Sequence, residues 1–168
     1  ALIQKVLAHA EKIGAQVAWN PGSRELVRGW SAVAPIARRC AVFNVNREEA
    51  AQLTGLPAAN LKGILATLCG ACTTSRKTPG RIVVTDGANG AYACDGCNVW
   101  HIASRNIRAT NTTGAGDAFG SAFTLGLMRG METPDALRLA MANAEGIITH
   151  MGAKAGILDH IPRPAALA

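Results

Sequence analysis

Residues 111–117 read Asn-Thr-Thr-Gly-Ala-Gly-Asp and run straight into Ala118-Phe119-Gly120-Ser121-Ala122-Phe123. A glycine-rich turn feeding a helix start aims several unpaired backbone N–H groups, and the positive end of the helix dipole, at one point, which makes an anion site. Asp117 stands at its edge. A carboxylate there can accept a proton from a hydroxyl beside the anion, which suits phosphoryl transfer onto an alcohol. The same residues also fit a plain helix cap behind a tight turn. The residues alone leave both readings open.

The second set of residue types with chemistry in them is cysteine. Five are present, and four form two Cys-x-x-Cys pairs, Cys69 with Cys72 and Cys94 with Cys97. Four thiolates at such spacing can hold a tetrahedral zinc ion, with Cys94-Asp95-Gly96-Cys97 on a knuckle-like turn. The other readings are small buried cysteines in a reducing compartment, or a redox pair. Cys40, alone at a strand start, reads as core. His101 and His150 have no partners at ligand spacing and read as satisfied or exposed side chains.

The elements that must position these groups follow from periodicity and turn chemistry. Leu2, Ile3, Val6, Leu7 and Ala10 fall at helical spacing within residues 1–12. Residues 16–19 form a short strand stopped by Asn20-Pro21-Gly22, and Ser23 is expected to cap one helix running to about Ala37, distorted near its end by Pro35. Residues 40–45 are the next buried strand. Asn46 then opens a helix with Glu48 and Glu49 in its first turn and Gly55 at its close, and a further helix covers about residues 58–68.

After the Thr-, Ser- and Lys-containing stretch 70–80, strands are expected at 81–85, 90–94 and 98–102, the last two joined by Asp95-Gly96 as a hairpin. Helices at 116–128 and 134–150 complete the chain, the second interrupted at Gly152. Strands alternating with helices in the first half imply right-handed parallel crossovers. The helix ending near Cys69 and the turn at Cys94–Cys97 should then share one end of the sheet, which makes a structural zinc site there geometrically feasible.

The 168 residues and their 49% hydrophobic, 17% charged composition fit one compact α/β domain, residues 1–168, and exclude a disordered, collagen-like or coiled-coil chain. No apolar run approaches the roughly 18–20 residues that span a bilayer, and from the opening residues no cleavable leader is expected. The expectation is a soluble, cytoplasmic protein with no membrane partner. A net charge of +6 would suit a polyanion, but the cations are scattered, with Arg38-Arg39 and Arg76-Lys77 as isolated pairs, and aromatics are 4%. That pattern argues against a nucleic-acid surface. The start at Ala1, already helical in pattern, leads us to expect a fragment.

The motif at 111–123 resembles the signature of the ribokinase-like, or PfkB, carbohydrate kinases, which include nucleoside kinases. That signature reads Asp-Thr-x-Gly-Ala-Gly-Asp, and Asn111 replaces its first Asp. Asn46-Arg47-Glu48-Glu49 resembles the family's Asn-x-x-Glu motif, and residues 85–90, Thr-Asp-Gly-Ala-Asn-Gly, resemble its Thr-x-Gly-x-x-Gly nucleotide loop. Residues 140–153 look like its closing helix and Gly-Ala loop. Ala18-Trp19-Asn20 stands where a family strand often reads Asp-x-Asn.

The resemblance implies a three-layer α/β/α sandwich with a mostly parallel sheet and an antiparallel hairpin. It implies that this chain is the C-terminal, nucleotide-binding part, without the N-terminal sugar contacts and lid, and so inactive in isolation. By the same resemblance Asp117 is the catalytic base and the N–H groups of Gly114, Ala115 and Gly116 form the anion hole. Thr85, Gly87, Gly90, Thr113 and Asn143 would contact ATP, and Asn46 and Glu49 would organise Mg through its waters. On residues alone, Asn46 and Glu49 fit ordinary helix capping and Thr85, Gly87 and Gly90 a strand end and turn. Asn111 lacks the carboxylate on which the family's monovalent-cation activation relies.

The function expected is ATP-dependent phosphorylation of a hydroxyl on a small-molecule sugar or nucleoside, with a homodimer of the full-length protein compatible with the resemblance. The alternatives are a non-catalytic, kinase-derived scaffold, zinc-stabilised through Cys69, Cys72, Cys94 and Cys97, and a zinc-ribbon nucleic-acid module.

Overall fold

The computed structural model describes residues 2–70, 80–105, 107, 109–150 and 155–162. In chain order the elements are α1 (Leu2–Lys12), β1 (Ala18–Trp19), α2 (Ser23–Leu26), α3 (Gly29–Ala37), β2 (Val42–Asn46), α4 (Arg47–Thr54) and α5 (Leu61–Cys69). Then come β3 (Arg81–Thr85), a 3-10 turn (Gly87–Asn89), β4 (Ala91–Cys94), β5 (Val99–Ile102), α6 (Ala115–Met128) and α7 (Thr133–Ile148). The five strands make one mixed, mostly parallel sheet in the order β1-β2-β3-β4-β5. Strands β1 and β2 are parallel, with Ala18 opposite Val42 and Trp19 opposite Phe43. Connections as short as those around β4 permit only antiparallel neighbours.

Two compact units divide the chain: Ala1–Val84 with Ala93–Val99, and Thr85–Tyr92 with Trp100–Ala168. The first has its core on Phe43, Val45, Ile82 and Val84, against which Val33 of α3, Leu53 of α4 and Ile64 and Leu68 of α5 pack. Trp19 and Trp30 meet the Phe43 ring at 5.6 and 5.7 Å between centroids, which adds aromatic packing to area burial. All of Val42–Val45 is buried, the continuous run expected of a strand covered on both faces. Leu7, Ile36 and Cys40 form a second apolar cluster in this unit.

In the second unit α6 packs on α7. A Cβ at Gly126 would sit 3.0 Å from that of Ala136, so this glycine lets the two backbones come close. Phe119 and Phe123 on α6, and Leu137, Leu139 and Ile147 on α7, are buried.

Two expected elements change. The single helix over 23–37 is two, because Gly29 takes φ +72 and ends the right-handed path; Pro35 is carried inside α3. Ser23 is the first residue of α2 rather than its cap, and Gly22 occupies the cap without a side-chain bond. The helix expected from residue 58 begins at Leu61, since the Asn60 side chain accepts from Gly63 N at 3.1 Å and sets the start. The stretch 71–79 and the interruption at Gly152 lie outside the described residues.

Candidate functional site: two glycine turns and a capping box

Two ties to α7 and one Asx turn shape the entry to α6. Thr110 N and Asn111 N donate to Ile148 O at 2.7 and 3.3 Å, and Asn111 Oδ1 accepts from Thr113 N at 2.9 Å. Gly114 then adopts φ 85, ψ −6, a left-handed conformation that glycine accepts at little cost. The first helical bond runs from Ala118 N to Gly114 O at 2.9 Å. Ala115 N is already engaged, donating to Thr112 O at 3.2 Å. The open donors therefore differ in one member from the expected Gly114, Ala115 and Gly116. Among the described residues, the N–H groups of Gly114, Gly116 and Asp117 have no acceptor.

Asp117 is exposed in the first turn of α6, where its charge complements the helix dipole. A Cβ at Gly116 would meet nothing within 4 Å, and its φ is not positive. The glycine is thus not demanded by the backbone; it leaves open space at the helix mouth that a side chain would occupy. Thr113 is exposed beside it. Asn111 Oδ1, spent on Thr113 N, has a structural job where the resembling motif carries a carboxylate.

Asn143 lies on α7 and is 7% exposed. Its Nδ2 donates to Ala118 O at 3.0 Å, and its Oδ1 accepts from Leu158 N at 2.9 Å. The amide clamps α6 and the 158 segment to α7, a packing role that the motif alone did not reveal.

The turn after β3 is a compact knot. Asp86 N donates to Gly90 O at 2.8 Å, Asn89 N to Asp86 O at 2.9 Å, and Gly90 N to Gly87 O at 3.1 Å. Gly87 and Gly90 have φ +52 and +100. At Gly90 a Cβ would collide with Ile102 O and lie 2.9 Å from the Cα of Ala103, so the position requires glycine twice over. Thr85 closes β3, half-buried, at the mouth of this turn.

In the first unit, Asn46 and Glu49 form a reciprocal capping box: Asn46 Oδ1 accepts from Glu49 N at 2.8 Å, and Glu49 Oε2 accepts from Asn46 N at 2.9 Å. The capping reading of this pair is realised. It leaves Glu49 Oε1 with no protein donor among the described residues, at the carboxyl end of β2, where open α/β sheets present their ligands.

The family model described as pfkB family carbohydrate kinase matches residues 26–160. The chain belongs to the pfkB family. Its relatives include a ribokinase of Lactococcus lactis subsp. lactis (strain IL1403), 34% identical over 82 residues, which are 49% of this chain and 27% of that protein. A fructoselysine 6-kinase of Escherichia coli (strain K12) is 38% identical over 74 residues, 44% of this chain and 28% of the relative. Among solved structures, a putative ribokinase II from E. coli in complex with ATP and Mg superposes with a TM-score of 0.74 at 19% identity, covering 98% of this chain and 51% of that one. The pfkB-family chain thus matches just over a quarter of these curated relatives' length and spans about half of that structure.

The cysteines of this family member depart from expectation. Cys69, at the end of α5, and Cys94, at the end of β4, meet as the sheet topology implied, but they are joined in a disulfide with 5.9 Å between Cα atoms. A bridged sulfur is not a thiolate ligand, so the expected zinc tetrad loses two members and the zinc assignment is withdrawn. Cys97 is exposed and free, Cys40 is buried, and no cluster of three metal-ligating side chains occurs among the described residues. Cys72 lies outside the described residues. No described helix is long and apolar enough to cross a membrane.

Sequence reasoning missed two constellations in the second unit. Glu145, 3% exposed on α7, accepts from Arg105 N at 2.7 Å, Arg105 Nε at 2.6 Å and Ser104 Oγ at 3.4 Å. A carboxylate in an otherwise apolar helix register was the available signal, since such a charge is rarely buried unpaired. The other is the ring pair Tyr92 and His101, stacked at 4.4 Å.

Proposed function

We propose that the protein containing this chain is an ATP-dependent kinase that phosphorylates a hydroxyl of a sugar or nucleoside, with Asp117 taking the hydroxyl proton. The observation that carries the reading is the mouth of α6, where an exposed carboxylate stands on a helix turn whose N–H groups at Gly114, Gly116 and Asp117 are open. Family membership over residues 26–160 supports it. The names of the relatives, ribokinase and fructoselysine 6-kinase, support a sugar as the acceptor class.

The residues fit the cofactors such a reaction needs. Open N–H donors beside a glycine that adds no side chain suit a phosphate, and a carboxylate oxygen such as Glu49 Oε1, beside the Asn46 amide, suits Mg or its waters. ATP with Mg, the pair held by the E. coli ribokinase II, supplies the phosphoryl group and neutralises its charge. The turn at Thr85–Gly90 is assigned to the nucleotide and Thr113 to the phosphates. The chain's own contribution is to orient the transferring group on the α6 donors and to hold the acceptor proton at the Asp117 carboxylate.

The test is nucleotide consumption by the full-length protein with Mg and a panel of sugars and nucleosides, run beside Asp117→Asn. Asparagine keeps the size of the side chain but cannot take the proton, so turnover should fall by about 10²- to 10⁴-fold with ATP binding nearly retained. ATP binding without phosphorylation of any acceptor would favour a non-catalytic scaffold; near-normal turnover in the variant would remove Asp117 from the role.

A further inference from the structure

The knot at residues 86–90 closes on itself through backbone bonds, yet one side chain from outside it reaches in. His101 Nε2 on β5 lies 3.0 Å from the carbonyl oxygen of Asn89. A carbonyl only accepts, so Nε2 carries the hydrogen and donates. Asn89 is the last residue of the 3-10 turn, and its own N and Nδ2 are already directed at Asp86, at 2.9 and 3.3 Å.

His101 is exposed, so burial in the core does not hold its ring in place. The ring is oriented instead by Tyr92 of β4, with centroids 4.4 Å apart and planes inclined by 26°. Tyr92 follows Gly90 by two residues, and Gly90 is pressed against Ile102, the neighbour of His101. The turn is therefore gripped on both sides by one short stretch of β5: its last glycine against the Ile102 backbone, its Asn89 carbonyl on the His101 ring.

We infer that His101, oriented by Tyr92, is a positioning residue that keeps the 85–90 turn in the conformation that receives the nucleotide. The inference rests on the assignment of that turn to ATP made above. Holding a binding turn ready removes an ordering cost from association. The pair accordingly acts on nucleotide affinity and leaves the proton chemistry at Asp117 alone. Loss of a single net hydrogen bond corresponds to a change of about 3- to 10-fold in affinity.

The experiment uses the full-length protein and MgATP as the probe, with His101→Ala, His101→Gln and Tyr92→Leu compared with wild type by direct binding and by steady-state kinetics. His101→Ala should raise the ATP Kd and KM about 3- to 10-fold, with kcat and the acceptor KM unchanged. His101→Gln, whose amide N–H can reach the same carbonyl, should recover most of the affinity, and Tyr92→Leu should move ATP affinity in the same direction as the alanine variant. Equal ATP affinity in wild type and His101→Ala overturns the inference and leaves the kinase reading standing. A parallel fall of kcat, acceptor affinity and thermal midpoint in His101→Ala overturns it in favour of a general packing role. If wild type itself does not bind MgATP, the kinase reading fails and the inference goes with it.

Discussion

Replacing Gly90 by alanine should be among the most damaging single-methyl changes in this chain, and Gly87 supplies the internal control. Both residues have positive φ in the same turn. Alanine at Gly87 meets nothing within 4 Å, so its cost is the left-handed backbone alone, ~1–2 kcal/mol, partly offset by the lower entropy of the unfolded alanine chain, ~0.4–1 kcal/mol. The net is about 1 kcal/mol. At Gly90, φ 100 with ψ −137 lies in territory open in practice to glycine only, worth ~1–3 kcal/mol. The new Cβ must also displace the backbone of Ile102 and Ala103, an overpacking cost of another ~1–3 kcal/mol. Less the same unfolded-state offset, the sum is about 1–5 kcal/mol. For a chain of this size each kcal/mol moves the midpoint by roughly 2–4 °C. Gly90→Ala should therefore lose several degrees more than Gly87→Ala in a thermal melt of the full-length protein, each shift being smaller the longer that protein is. Because Ile102 neighbours His101, surviving Gly90→Ala protein should also bind MgATP more weakly. Equal melts for the two variants would refute the claim that the Ile102 contact, and not the sign of φ, fixes Gly90.

The disulfide and the hairpin give two further outcomes. Cys69 and Cys94 close a loop of 25 residues, which in the chain-entropy model corresponds to about 3.5 kcal/mol. Urea unfolding with and without dithiothreitol should show the oxidised protein more stable by that order, and a Cys69→Ala/Cys94→Ala variant should be indifferent to the reductant; a wild-type curve that ignores dithiothreitol would mean the bond does not form in solution. At Asp95, burial opposes ionisation, but hydrogen bonds from Asn98 N and Cys97 N and the Arg81 charge outweigh it and hold the carboxyl below its usual range. A depressed folded-state pKa contributes stability above the unfolded value, lost as pH falls through the folded one. The stability gap between wild type and Asp95→Asn should therefore be full at pH 6 and shrink below about pH 4; a gap independent of pH would deny the carboxylate this role.

Much of this fold is legible in the sequence because local and global signals agree. Asn46, Glu49 and Gly55 spell out both ends of α4, and the structure realises each, down to the reciprocal bonds of the box and φ +70 at Gly55. Asp95-Gly96 announces the β4–β5 hairpin. The break at Gly29 was written there too, but a glycine inside an apolar helical pattern can be tolerated or can end the helix, and only its φ decides. Cys69 and Cys94 show a different limit. Topology brings them together, yet spacing cannot say whether two sulfurs bridge each other or share a metal; that depends on side-chain geometry in the core. Asn143 and Ala115 show a third limit, since a motif tells where an amide or N–H sits and not which neighbour it bonds. His101 reads from the sequence as a satisfied or exposed side chain and is both, but which group it meets is not legible, because that partner is a backbone oxygen, which has no letter in the sequence.

The capping box has a consequence for how this family's history can be read. Asn46 and Glu49 serve α4 whether or not any metal is present, so a descendant that had lost catalysis would still be selected to keep both, and their persistence says little about activity. Gly116 is the opposite case. Neither its backbone angle nor any neighbour demands glycine, so drift would fill it with a side chain once nothing had to enter the mouth of α6. In diverging lineages it is the loss of this unforced glycine, more than any change at Asn46 and Glu49, that would signal that nothing has to enter the mouth of α6.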